Sequence, residues 1–219
     1  MKCSIRTSQI LILTRLEMIK SKKELSFYIM ADNMMNRGYF KPSLKERIKR
    51  IFMKDDILTF LKLMRKCQYY SHSGGVKFAY YRIKYGKLSK DLGFSIGYNV
   101  FGYGLIIPHY GTIVVGGSNK CGNYCVLHTS TCITDNGKTI GDAFYLSTGA
   151  KVTSKVTIGD NVSVGANSVV NRSFVEGNMM IAGAPAKYIK PMDAWYIRDG
   201  KSFIDKVKAV ENLKFKMKI

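Results

Sequence analysis

An aliphatic side chain recurs at almost every sixth position between residues 115 and 170. An α-helix repeats after about 3.6 residues and a flat strand after about two, so neither gives this period. A coil of three short strands does, because each strand turns one aliphatic side chain towards a common axis. The inward positions would be Val115, Cys121, Leu127, Ile133, Ile140, Leu146, Val152, Ile158, Val164 and Val170, with one extra residue after Ile133. The pattern therefore predicts a parallel β-solenoid with coils of about 18 residues, stacked about 4.8 Å apart.

The residue that follows the aliphatic position supports this prediction. It is glycine at positions 116, 122, 141, 159 and 165. Glycine tolerates the crowded backbone that a sharp corner requires. A β-sandwich of alternating strands is the competing fold, but simple alternation does not produce a sixfold frame. We therefore expect a mainly β chain with helical segments at its two ends.

The chain divides into three parts by its sequence pattern. Residues 1–92 show helical spacing of apolar side chains, and Ser43 followed by Glu46 is typical of a helix start. Residues 93–190 carry the sixfold pattern. Residues 191–219 predict a short C-terminal helix. The boundaries give an α-helical N-terminal domain, a β-helix domain and a helical tail.

The charge of the chain is strongly uneven. The 219 residues carry a formal net charge of +20. Residues 1–90 hold 21 Lys or Arg against 6 Asp or Glu, and so carry most of this excess. A basic surface attracts anions such as nucleic acid, acidic lipid, a polyanionic glycan or a phosphorylated cosubstrate. No nucleic-acid motif is present, so we expect no nucleic-acid partner.

The expected location is the cytoplasm. No stretch of about 18 uncharged apolar residues is found, which excludes a spanning helix. The five cysteines do not form the pattern of a disulfide scaffold. Peripheral contact with the inner membrane surface remains open because of the basic N-terminal part.

Two motifs in the solenoid resemble a known family. Residues 109–116 (HYGTIVVG) and residues 182–187 (AGAPAK) are similar to segments of the serine acetyltransferase branch of the left-handed β-helix acyltransferases. That branch includes relatives that acetylate capsular or exopolysaccharide sugars. Residues 28–32 and 63–70 resemble its helical segments, so the resemblance covers roughly residues 25–190. It implies a left-handed parallel β-helix, acetyl-CoA as cosubstrate, a hydroxyl acceptor, no required metal, and a homotrimer that could pair into a hexamer.

The resemblance also implies the catalytic residue. His109 occupies the position of the family's catalytic histidine, and an imidazole with a pKa near 6.5 suits the removal of a hydroxyl proton at neutral pH. His128 lies 19 residues later, so a coil of about 18 residues would stack Leu127 on His109 and point His128 outward beside it. His128 is one candidate for contact with the acceptor. Asp32, in the helical part, is the other.

Two departures from the family pattern bear on the acceptor. The family has an acidic residue immediately before its catalytic histidine and another about 15 residues upstream, whereas this chain has Pro108 and Phe94. The family's second histidine falls in a loop that is shortened here to residues 134–139. The first loss removes an expected partner for the ammonium group of an amino-acid substrate, and the second removes the carboxylate that usually orients the histidine. The sequence therefore favours a sugar hydroxyl of surface polysaccharide or its precursor, with L-serine as the alternative.

The cosubstrate is expected to lie along the coils. By motif position, the small residues Thr148 and Ala166 would line the pantetheine arm. Gly183, Ala184 and Lys187 would close the site, with the lysine near a phosphate. A trimeric scaffold that only binds a polyanion or a membrane is the non-enzymatic alternative.

The cysteines raise the question of a metal site. Cys121, Cys125 and Cys132 lie in the solenoid, but no CxxC pair is present. Cys121 and Cys125 occupy positions where small apolar residues are wanted. We therefore expect packing in the core and no zinc site.

Overall fold

The computed structural model describes residues 19–219. The first predicted helical stretch, before residue 19, lies outside these residues. The helices of the N-terminal part are α1 (Lys22–Arg37), α2 (Leu44–Phe52), α3 (Asp56–Tyr70) and α4 (Gly75–Leu92).

Local sequence explains where two of these helices begin. The Ser43 hydroxyl accepts from the Glu46 amide while the Glu46 carboxylate accepts from the Ser43 amide, which confirms the predicted capping box. Ser21 and Glu24 form a second such box at the start of α1. Among the residues that the structure describes, no helix is both long enough and apolar enough to cross a bilayer.

The solenoid is built from eleven short parallel strands followed by a hairpin. The strands are β1 (Phe94–Ile96), β2 (Ile113–Val115), β3 (Lys120–Cys121), β4 (Val126–Leu127), β5 (Thr131–Ile133), β6 (Thr139–Ile140), β7 (Tyr145–Leu146), β8 (Lys151–Val152), β9 (Thr157–Ile158), β10 (Val162–Val164), β11 (Val169–Val170), β12 (Met179–Gly183) and β13 (Ala186–Pro191). The three faces hold β1, β2, β5, β8 and β11 on one side, β4, β7, β10 and β12 on the second, and β3, β6 and β9 on the third. This arrangement is the predicted left-handed parallel β-helix.

The sixfold positions form three columns inside the coils. All ten predicted inward side chains are at most 3% exposed. The pairing of the strands stacks them by face, as Val115–Ile133–Val152–Val170, Cys121–Ile140–Ile158 and Leu127–Leu146–Val164. Close packing of these columns is the main source of apolar burial in the coils.

The extra residue after Ile133 is absorbed in one loop. Lys138 is fully buried there. Its ammonium group donates to the backbone oxygen of Thr134 at 2.6 Å and to the Thr134 hydroxyl at 2.9 Å, and it also contacts the Asn136 amide oxygen. The loop folds around its own lysine, so the inward column resumes at Ile140.

The C-terminal residues return to pack against the first coils. After the antiparallel pair β12 and β13, the chain forms α5 (Trp195–Arg198) and α6 (Lys201–Lys216). Trp195 is buried, and its indole Nε1 donates to the backbone oxygen of Tyr124 at 2.8 Å. The tail is therefore two helices where the sequence predicted one, because Asp199 and Gly200 separate them.

Candidate functional site

His109 lies on a lengthened corner of the first coil. The first and second coils are in register at Ile106–Val126 and again at Ile113–Thr131, so the first coil uses two more residues for this corner. His109 is exposed there. The additional length carries its side chain away from the packed columns.

The register corrects one sequence prediction. The Ile106 amide donates to Cys125 at 2.9 Å and the Leu127 amide donates to Ile106 at 3.0 Å, which sets Leu127 beside Ile107. The prediction that Leu127 stacks on His109 is therefore wrong. It assumed coils of equal length, whereas the first coil is longer.

His128 nevertheless lies on the same edge of the β-helix as His109, one coil further on, because both belong to the corner that follows the paired residues Ile107 and Leu127. Burial lowers the pKa of the half-buried His128, and the positive charges of His109 and then Arg198 lower it further, while Asp199 opposes them. The His128 Nε2 atom lies 2.7 Å from the Tyr145 hydroxyl oxygen. The structure thus brings the two predicted histidines into one cluster.

Tyr145, Arg198 and Asp199 complete this cluster, and sequence reasoning missed all three. The Arg198 guanidinium lies 4.4 Å from the centre of the Tyr145 ring and forms an ion pair with Asp199, with Nε and Oδ1 2.6 Å apart. Trp195 fixes α5 and so carries Arg198 to the coils. The repeat itself could have identified Tyr145. This residue is adjacent to the inward residue Leu146, just as His128 is adjacent to the inward residue Leu127. Arg198 lies outside the repeat, so no spacing could place it.

The predicted cosubstrate residues lie along one edge of the β-helix. Leu146 pairs with Val164, and Val164 pairs with Ile181. Two residues further along each strand come Thr148, Ala166 and Gly183, which therefore follow one another on successive coils. All three are exposed. Small exposed residues at intervals of about 4.8 Å leave an open track for an extended chain.

Ala184 and Lys187 lie at the end of this track. Both are exposed, and Lys187 pairs with Ala182 across the hairpin of β12 and β13. The lysine therefore projects from a rigid two-stranded ribbon. An ammonium group there can meet a phosphate as a point charge.

Asp32 lies elsewhere, in a buried ion pair. It is 1% exposed, and its Oδ2 accepts from Arg65 Nε at 2.8 Å. Its Oδ1 accepts from the amides of Gly104 at 2.9 Å and Leu105 at 3.1 Å. Burial raises the pKa of Asp32, and the guanidinium and the amide donors oppose that rise. The prediction that Asp32 contacts the acceptor does not agree with this placement, because its carboxylate already joins α1 to α3 and to the first coil.

The positions that depart from the family pattern provide no orienting carboxylate. Phe94 is buried, and its ring lies 4.9 Å from that of Phe60 in an edge-to-face contact. Within residues 19–219, the His109 ring has no hydrogen-bond partner. The described residues therefore include no group that orients this ring through a hydrogen bond.

The cysteines pack as apolar residues. Cys121 and Cys125 are buried in the core, and burial raises the pKa of both thiols. A protonated thiol is a poor metal ligand. The described part of the chain contains no group of three His, Cys, Asp or Glu side chains arranged to hold a metal ion.

Comparisons with known proteins agree with this fold. The family model described as "Bacterial transferase hexapeptide (six repeats)" matches residues 137–172. The serine acetyltransferase of Synechococcus elongatus is 28% identical over 130 residues, which cover 51% of this chain and 53% of that protein. The chain thus spans about half the length of the curated relatives it matches.

Two solved structures share the architecture. The serine acetyltransferase of Neisseria gonorrhoeae superposes with a TM-score of 0.59 at 20% identity, covering 78% of this chain and 68% of that chain. A serine acetyltransferase described as a complex with CoA has a TM-score of 0.56 at 16% identity, covering 76% and 69%. At these identities the likeness concerns the fold.

These names correct the predicted acceptor. The sequence favoured a polysaccharide sugar, but the relatives and the structural neighbours are called serine acetyltransferases, which overturns that reading in favour of its alternative. The sugar prediction rested on the acidic residues missing at Pro108 and Phe94. It did not foresee the Arg198–Asp199 pair, which brings both charges to His128 from the tail. The chain is therefore similar in its hexapeptide repeats to bacterial transferases of that family, and in its fold to the serine acetyltransferases of the left-handed β-helix acyltransferases.

Proposed function

We propose that this chain is an acetyl-CoA-dependent serine O-acetyltransferase. The observation that carries the proposal is the cluster of His109, His128 and Tyr145 on the exposed edge of the β-helix, with Arg198 and Asp199 beside it. The names of the relatives support the same activity.

His109 acts as the general base. Its exposed imidazole takes the proton of the serine hydroxyl as the hydroxyl oxygen attacks the carbonyl carbon of the thioester. The carbon–sulfur bond then breaks, and the sulfur leaves with the proton that His109 had taken. The products are O-acetylserine and free CoA, and no covalent bond to the protein forms.

Arg198 and Asp199 recognise the amino acid. Serine carries a carboxylate and an ammonium group, and this adjacent pair offers one charge for each. Both side chains remain about one third exposed, so a ligand can reach them. They take over the recognition of the amino acid, for which the family has an acidic residue at the position that Pro108 occupies here.

The donor lies along the edge formed by Thr148, Ala166 and Gly183. These exposed small residues leave room for the pantetheine arm, and the thioester supplies the activated acetyl group. Ala184 closes the track, and Lys187 binds a phosphate of the nucleotide.

A homotrimer completes the site. The family resemblance implies active sites between subunits, and the unpartnered His109 ring fits a neighbour that supplies its orienting group. Light scattering on the purified protein measures the assembly directly. A stable monomer with full turnover would contradict this part of the proposal.

The decisive experiment is the release of free thiol from acetyl-CoA in the presence of L-serine. Wild-type protein is expected to release thiol, and His109→Ala is expected to lose release while still binding CoA. His72→Ala is the matched control, because His72 is an exposed histidine in the helical part. CoA binding without any release on serine would overturn serine as the acceptor, and full turnover in His109→Ala would overturn the mechanism.

A further inference from the structure

Helix α2 has an uncovered apolar face. Leu44 is 72% exposed, Ile48 50%, Ile51 72% and Phe52 83%. No other element within the described residues covers them. A helix of nine residues gains little stability in water on its own, so contact of this face with another surface would stabilise it.

The apolar face is narrow and bordered by basic side chains. At about 100° per residue, Leu44, Ile48, Ile51 and Phe52 fall within one arc of roughly 100°. Lys45 borders one side of this arc. The other side is bordered by Arg47.

The whole segment carries a high positive charge. Between residues 41 and 54 there are six Lys or Arg residues and one acidic residue, Glu46. An apolar stripe flanked by basic side chains is typical of helices that lie in a membrane interface.

An ion pair holds this segment at its base. Arg37, at the end of α1, donates from Nε to Asp55 Oδ2 at 2.7 Å and from Nη2 to Asp55 Oδ1 at 3.1 Å. Asn33 adds a hydrogen bond to the backbone oxygen of Phe40 at 3.0 Å. These contacts hold together the two ends of the segment that joins α1 to α3. Helix α2 lies within this segment.

We propose that α2 binds the surface of an anionic lipid bilayer. The apolar side chains enter the boundary between headgroups and acyl chains, and the lysines and arginines meet lipid phosphates. A second copy of α2 is a poorer partner, because each copy carries the same net positive charge and the two would repel. Nucleic acid offers the phosphates but has no use for the apolar stripe.

Cosedimentation with lipid vesicles tests the proposal. Full-length protein is expected to bind vesicles that contain phosphatidylglycerol and to bind pure phosphatidylcholine vesicles far more weakly. Phe52→Glu is expected to weaken binding at least about tenfold, since a charge replaces an apolar ring that would lie between the headgroups and the acyl chains. Phe215→Glu is the matched control, because Phe215 is also an exposed helical phenylalanine, at 85%, and the substitution changes the charge equally.

A second variant separates the electrostatic contribution. Lys45→Gln combined with Lys49→Gln retains every apolar side chain and is expected to weaken binding about fivefold for each charge removed. Equal binding by Phe52→Glu and wild type would overturn the proposal. So would a change of oligomeric state in Phe52→Glu without vesicle binding by wild type, which would assign the face to a second copy of this chain.

Discussion

The Tyr145 hydroxyl oxygen lies 2.7 Å from Nε2 of His128, and the two residues belong to successive coils. The contact fixes the His128 ring on the edge that also carries His109. Because Tyr145 also lies beneath Arg198, one phenol ring joins the repeat to the C-terminal tail. The charges around His128 therefore depend on how the tail is docked.

The first prediction concerns this coupling. His109→Ala is expected to raise the pKa of His128 towards the ordinary value near 6.5, because the charge of His109 is the second largest cause that lowers it. NMR titration of the imidazole Cε1 proton measures the value. His72→Ala is the control and should leave the titration of His128 unchanged. An unchanged His128 in His109→Ala would show that the two rings do not interact.

The lowered pKa of His128 also predicts a pH dependence of stability. Between the lowered pKa and about 6.5, the unfolded chain binds more protons than the folded chain, so the free energy of unfolding rises with pH there. The contribution is complete above that window and is lost as the pH falls through the folded pKa. Urea unfolding across the window should show a smaller slope for His128→Gln than for wild type. Identical slopes would contradict the assignment.

Arg198→Ala is expected to raise the KM for L-serine about tenfold to hundredfold, because a charged hydrogen-bond partner of the substrate carboxylate is lost. The KM for acetyl-CoA should stay the same. Steady-state kinetics with each substrate varied in turn makes the comparison. Lys201→Ala removes a nearby exposed charge and should leave both values unchanged. An unaltered serine KM in Arg198→Ala would remove this residue from the acceptor site.

Asp32→Asn is expected to destabilise the protein by about 3–5 kcal/mol, because it leaves the fully buried Arg65 guanidinium without its counterion. Asp199→Asn breaks a partly exposed pair and should cost at most about 1 kcal/mol. Urea unfolding at one fixed protein concentration measures both. Equal losses would mean that the Asp32–Arg65 pair contributes no more than a surface pair.

Gly141→Ala tests the corners of the coils. A Cβ atom at Gly141 would lie 2.3 Å from Asp160 Oδ1 and 2.7 Å from the Asp160 backbone nitrogen, and the backbone contact cannot turn away. A loss of about 1–3 kcal/mol in the free energy of unfolding is expected. At Gly117 nothing lies within 4 Å of such an atom, so Gly117→Ala should change stability by less than about 1 kcal/mol. Similar losses for the two variants would show that crowding does not fix the glycine.

The sequence was sufficient for the columns of the β-helix because the sixfold period depends only on neighbouring coils. The ten predicted inward side chains, from Val115 to Val170, are all buried. The same regularity misled the placement of His109, because equal coils were assumed and the first corner is longer. The regular series begins at Val115, so it carries no information about a corner that precedes it.

The candidate site was only partly predictable for the same reason. His109 and His128 were found from a motif and a spacing, and their electrostatic coupling follows from the stacking of coils. Arg198 comes from a tail that has no repeat, and only the docking of Trp195 brings it near. Asp32 was assigned to the acceptor because it is the acidic residue of a helical segment that resembles the family, whereas its burial with Arg65 depends on three elements that meet only in the folded chain.

The longer corner at His109 shows that the interior and the edge of this molecule can change independently. The inward columns fix the spacing of the coils, and the first coil accepts two more residues at its corner while Val115 and Ile133 still pair. Insertions or deletions of one or two residues at this edge can therefore present or withdraw a reactive side chain without opening a cavity. A solenoid of this kind offers evolution an edge that can be lengthened or shortened while the pairing of its inward columns is kept.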